Sequence, residues 1–239
     1  MESGKRLCCQ ALWAALWLLS ICSGVPTTSI DTEVDPPDVY NSLWINSTDI
    51  AMETLRTPFV KHMKLGDLQS DDYVNFMIQD INYLVKVTEM LKEMTEKVKS
   101  PKNLQEFFKG RYESYKKFAQ QMLKQFSLNA VSEIKPIPAM EKYLKDYKDI
   151  KDNDKPIFFA VSLLPCSRLW IWLANELDIG YGNAYFIWKK NNMYGNPEKH
   201  YKKLLNSYLK TPEDIKRAKE IFHQQMQHEH NFFAAVTAA

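Results

Sequence analysis

The stretch Phe158-Phe159-Ala160-Val161-Ser162-Leu163-Leu164-Pro165-Cys166-Ser167-Arg168-Leu169-Trp170-Ile171-Trp172 constrains this chain more than any other. It is apolar on nearly every side, and a helix with no polar face belongs in the middle of a protein, enclosed by other helices. Cys166 sits at its centre. Pro165, inside such a helix, removes a backbone hydrogen bond at a cost of about 3 kcal/mol, which predicts a kink beside the thiol.

The enclosing shell reads as helical too. The chain has 239 residues, 45% of them hydrophobic and only seven of them glycine. That is enough to bury a sizeable core and too little Gly for many tight turns, so one all-α domain is the economical reading. The formal charge is +2, with bases and acids alternating, which leaves no electrostatic footprint for a nucleic-acid partner.

Lys5 and Arg6 precede an apolar run, Ala11 to Ile21, that ends in Ser20-Ile21-Cys22-Ser23-Gly24. Residues 1–24 therefore predict a cleaved signal peptide and a secreted protein, and the run is short for a membrane anchor. Cleavage would remove Cys8, Cys9 and Cys22 and leave Cys166 alone. An unpaired thiol in an oxidising compartment has to be buried or used, as a small core hydrophobe or as a reactive group.

Residues 25–49 are acidic and contain Pro36 and Pro37, which predicts an extended arm ahead of a helical domain over residues 50–239. Asn46-Ser47-Thr48 is a glycosylation sequon, expected to be exposed. Ile50 to Lys64 reads as an amphipathic helix interrupted at Pro58. Ser70-Asp71-Asp72 then predicts a cap and acidic first turn for a long helix reaching about Val98. The periodicity gives further helices over Leu104 to Phe126, after Pro138 with Tyr143 and Tyr147, over Ala184 to Lys190 and over His200 to Leu209. Thr211-Pro212-Glu213-Asp214 starts a last one running to about Ala235.

Two acids fall on apolar stripes. Asp80 lies among Phe76, Met77, Leu84 and Val87, and Tyr83 follows it one turn on. Glu229 shares a face with Phe222, Met226 and Phe233. An unpartnered buried carboxylate costs several kcal/mol, so each needs either a cationic partner on a neighbouring helix or a use in proton transfer. His223, His228 and His230 lack the i, i+4 spacing of a metal pair and read as surface histidines, so no metal site is expected.

Gln79-Asp80-Ile81-Asn82-Tyr83-Leu84 resembles the Gln-Asp-x-x-Tyr-Leu signature of the TenA (thiaminase II) family, all-helical proteins of the haem-oxygenase-like fold. Thr57-Pro58-Phe59-Val60 with Gly66 and Leu68 is similar to that family's first helix. Leu164-Pro165-Cys166 resembles its Pro-Cys motif, and Glu229-x-x-Phe232-Phe233 its terminal Glu-x-x-Phe-Trp. The resemblance spans most of residues 50 to 236 in order. It implies a haem-oxygenase-like bundle in which Cys166 attacks the aminopyrimidine ring of thiamine, Asp80 hydrogen-bonds and polarises that ring, and Glu229 shuttles the proton. Tyr83 and Tyr143 match the family's pocket tyrosines.

Trp170 stands where the family has a tyrosine, and Asn192 or Tyr194 takes the place of another pocket residue. No cofactor is implied. The partners implied are thiamine as substrate, an amine or pyridine co-substrate if an external base rather than water accepts the pyrimidine, and further copies of the chain. A leader sets the chain beside secreted animal thiaminases of this fold. A binding protein without turnover, and a secreted helical interaction protein, are the competing readings. A metal-dependent oxidase on the same fold would need a Glu-x-x-His pair that Leu104 to Phe126 lacks.

Overall fold

The computed structural model describes residues 38–235 apart from 130 and 133. The leader expected at 1–24 and the part of the expected arm up to residue 37 lie outside the described residues. Those described form ten helices and no strand, meeting the all-α expectation: α1 (Val39–Ile45), α2 (Thr48–Leu55), α3 (Pro58–Leu65), α4 (Ser70–Lys97), α5 (Lys102–Gln125), α6 (Pro138–Asn153), α7 (Pro156–Glu176), α8 (Phe186–Asn192), α9 (Pro197–Tyr208) and α10 (Pro212–Ala235).

Proline sets many of the starts. α3, α6, α7, α9 and α10 each begin on one, where the missing N–H costs nothing and the fixed φ already suits the helix. Thr211 caps α10 as expected, its Oγ1 accepting from the Asp214 N–H at 3.1 Å. α3 stops at Gly66, whose φ of +79° is a left-handed conformation that a side chain resists. The cap expected at Ser70 is absent. Ser70 is already helical, Gln69 holds the cap position without a side-chain bond, and Asp71 and Asp72 instead oppose the helix dipole from the first turn.

The extended arm is corrected from residue 38 onward. Asp38 accepts from the Asn41 N–H at 3.2 Å and starts α1, which buries Val39, Tyr40 and Leu43 against α9 and α10. A seven-residue helix has little stability of its own. Tertiary contacts hold this one: the Arg168 guanidinium lies over the Tyr40 and Trp44 rings, and its Nη1 donates to the Tyr40 carbonyl at 3.0 Å. Asn46 ends α1 and is exposed, as the sequon required.

α7 takes the central place its composition demands. Phe159 to Leu164 are fully buried, and α6, α8, α9 and α10 pack around the helix. It is long and apolar enough to cross a membrane by length and composition, but most of that surface is covered by protein. The helix continues through Pro165. α4 lies along α5 and against α6. Phe76 of α4 stacks on Phe59 of α3 at 4.2 Å and on Phe232 of α10 at 4.4 Å, which pins three helices beside the carboxylates.

Candidate active site

A cavity of about 340 Å³ opens between α4, α5, α7 and α9. Asp80 lines it from α4, Cys166 and Trp170 from α7, and Tyr115 and Phe118 from α5. Glu229 of α10 lies just beneath, 1% exposed. Three groups at sequence separations of tens of residues thus meet at one place, because α4, α7 and α10 each turn their apolar stripe inward.

Among the described residues neither acid has a lysine or arginine partner. Asp80 is 5% exposed, and its carboxyl is pushed up to about 8, first by burial and then by the negative charge of Glu229. Glu229 is pushed up to about 7 by burial, against the pull of hydrogen bonds from Tyr143, Trp170 and Cys166. The Tyr143 hydroxyl donates to Oε1 at 2.6 Å and the Trp170 indole Nε1 to Oε2 at 3.0 Å. Trp170 therefore replaces the expected tyrosine without leaving the carboxylate short of a donor.

Cys166 is half-buried and faces the cavity. Burial, then the charges of Glu229 and Asp80, push its thiol well up, while the Tyr83 hydroxyl beside it pulls the other way. At rest the site holds a thiol rather than a thiolate, next to carboxylates that titrate near neutrality. Glu229 is placed to take the thiol proton, and a cationic or electron-poor ligand over Asp80 would favour that transfer by offsetting negative charge.

Tyr83 and Tyr143 do not line the cavity. They stand behind it in a hydroxyl chain with Tyr147 of α6. Tyr83 and Tyr147 are joined at 2.9 Å, Tyr143 and Tyr147 at 3.4 Å, and Tyr147 donates to the Ser162 carbonyl at 2.9 Å. Their role in this geometry is to hold Glu229 and border the thiol. Tyr194 is exposed at the cavity lip, and Asn192 lines the wall with its amide donating to the Trp188 carbonyl at 2.8 Å.

The surface reading of the histidines fails for His228, which is 3% exposed. It bonds Asp146 through Nε2 at 2.5 Å and stacks on Tyr143 with ring centroids 5.2 Å apart. Spacing along one helix tests for a metal pair but not for a partner on another, and Asp146 stands on α6. Among the described residues no group of three or more His, Cys, Asp or Glu could hold a metal ion. Tyr147 and Tyr115 were visible only as apolar-face aromatics, with nothing in the sequence to bring them to the site.

Residues 44–239 match the model of the TENA/THI-4/PQQC family. No curated protein matches the chain. Among solved structures, a TenA homologue from P. horikoshii OT3 is 19% identical with a TM-score of 0.66, covering 84% of this chain and 98% of that one. A TenA homologue from Pyrococcus furiosus gives 14% and 0.70, over 83% and 99%. A TenA family transcription regulator from Silicibacter sp. TM1040 gives 13% and 0.73, over 85% and 98%. At these identities the likeness is one of fold.

Proposed function

The chain belongs to the TENA/THI-4/PQQC family, and from that premise we propose that it cleaves thiamine, or a related aminopyrimidine, at the methylene joining the pyrimidine to its leaving group. The observation behind this reading is the meeting of Asp80 and Cys166 in the cavity wall with Glu229 just beneath, neither acid having a cationic partner among the described residues. Asp80 would hydrogen-bond the pyrimidine and stabilise its protonated form. The Cys166 thiol would give its proton to Glu229, and Sγ would add to an electron-deficient ring carbon. The electron pair supplied to the ring then breaks the methylene C–N bond, and the thiazole leaves with that pair. An acceptor adds at the methylene carbon as Cys166 departs and is reprotonated from Glu229; water or an amine then gives up a proton to the freed carboxylate, whereas pyridine, which has none to lose, stays on the product as a pyridinium.

Water as acceptor makes the protein a hydrolase; an amine or pyridine makes it a base-exchange transferase. The leader read from residues 1–24 would put either reaction outside the cell. A second reading is a binding protein that holds the pyrimidine without turnover. Trp170 in the place of a tyrosine is what favours it, although the indole keeps a donor on Glu229.

The test is thiamine turnover by the leader-free protein and by Cys166→Ser, with and without pyridine, products identified by mass. Loss of thiamine that depends on Cys166 supports cleavage, and its dependence on pyridine separates exchange from hydrolysis. Tight binding with no loss turns the assignment to a binding protein. Neither binding nor loss overturns both.

A further inference from the structure

The outer part of the cavity carries groups that pyrimidine cleavage does not use, one of them a guanidinium set apart from the carboxylates of the floor. Arg111 and Ser114 line it from α5, Ser167 from α7 and His200 from α9. The ion pairs made among the described residues leave Arg111 out. His200 is held below the usual imidazole range by burial and then by the positive charges of Arg111 and Lys199. Two bases therefore crowd one rim with no acid between them.

Two further features point the same way. Asn196 and Pro197, the cap and first residue of α9, also line the cavity, so the positive end of a 12-residue helix opens onto the same rim. Glu198, the acid in that first turn, is turned to Lys202 at 2.8 Å. The hydroxyl of fully buried Tyr201 lies beside Ser167 and Arg111 and makes no hydrogen bond of good geometry among the described residues. A buried hydroxyl without a partner is uncommon.

We infer that Arg111, His200 and the start of α9 form a subsite for an anionic group, a phosphate ester on the part of the substrate that leaves. The cavity then fits a molecule that is cationic over Asp80 and anionic at the rim. This rests on the cleavage reading for the orientation of the substrate, but not for the charge of the rim. Arg111 is partly exposed, so the gain is that of a few charge-assisted contacts in screened surroundings, about tenfold in affinity at low salt.

The experiment is calorimetric titration of full-length Cys166→Ser protein with thiamine, thiamine monophosphate and inorganic phosphate, repeated with Arg111→Gln and Arg111→Lys. The monophosphate is expected to bind about tenfold more tightly than thiamine, with the advantage shrinking as salt rises. Arg111→Gln brings the ratio of the two dissociation constants towards one, and Arg111→Lys keeps most of it. Inorganic phosphate competing with the monophosphate but not with thiamine supports the subsite. Equal binding of the two, or equal weakening of both by Arg111→Gln, overturns the subsite alone. Failure of thiamine to bind overturns the reading of the cavity floor as well.

Discussion

Replacing Asp80 by Asn should change how stability depends on pH, and by an amount that follows from its burial. The folded protein holds the Asp80 proton up to about 8, whereas the reference carboxyl loses it at 3.8. Between those values the folded state binds more protons than the unfolded state, so stability is greatest below the lower value and declines as pH rises through the upper one. The slope is about 1.4 kcal/mol per pH unit, which makes the loss from pH 5 to pH 7 about 3 kcal/mol from this one group. Glu229, with a folded value of about 7, adds loss of the same sign over part of that range. Because each charge opposes the other, the two do not simply sum. Asp80→Asn removes the first contribution and keeps a polar group of the same shape. Urea denaturation followed by far-ultraviolet circular dichroism at pH 5, 6, 7 and 8 reads this directly. The wild type loses stability over the series, and the variant gains on it by about 3 kcal/mol between pH 5 and 7. Parallel profiles would mean that Asp80 is ionised in the folded protein, and the account of an unpartnered buried acid would be wrong.

Tyr143→Phe deletes the 2.6 Å donor to Glu229, so the carboxyl should titrate above about 7; the cost to stability is about 1–3 kcal/mol, and an unmoved pH profile of activity would count against the assignment. Alkylation of Cys166 by iodoacetamide should be slow at pH 7 and still accelerating beyond the ordinary thiol range near 8.5, because the thiol is pushed up; a rate already at plateau at neutral pH contradicts this. Gly66→Ala forces a side chain into φ +79° and brings its Cβ to 3.3 Å from Asn183 Nδ2, which should cost about 1 kcal/mol in thermal denaturation. Phe76→Ala empties the junction of α3, α4 and α10 and should cost about 3–5 kcal/mol.

What the sequence made legible is whatever one helix displays by itself. The all-round apolarity of Phe158 to Trp172 marked the central helix, and a carboxylate on an apolar stripe marked Asp80 and Glu229 as misplaced unless used. The Thr211-Pro212 start was equally local, since its capping bond spans three residues. What escaped depends on pairing across the fold. α1 was hidden because a short segment behind an acidic arm gains its order from Arg168, 128 residues beyond Tyr40. His228 was misjudged because Asp146, its partner, stands on another helix. Arg111 is one of many bases along Leu104 to Phe126, with nothing local to single it out, and only the packing of α5 beside α9 brings it to the cavity rim.

The bond from Trp170 to Glu229 also makes the site luminous. The indole whose N–H is held by the carboxylate at 3.0 Å lies 5.5 Å from the Trp188 ring and forms part of the cavity wall. Any change in the charge of Glu229, or any aromatic guest in the cavity, alters the field at one excited-state dipole and its coupling to a second. Intrinsic emission should therefore shift on titration and quench on occupancy, so the protein carries an optical gauge of its own chemistry with no label attached.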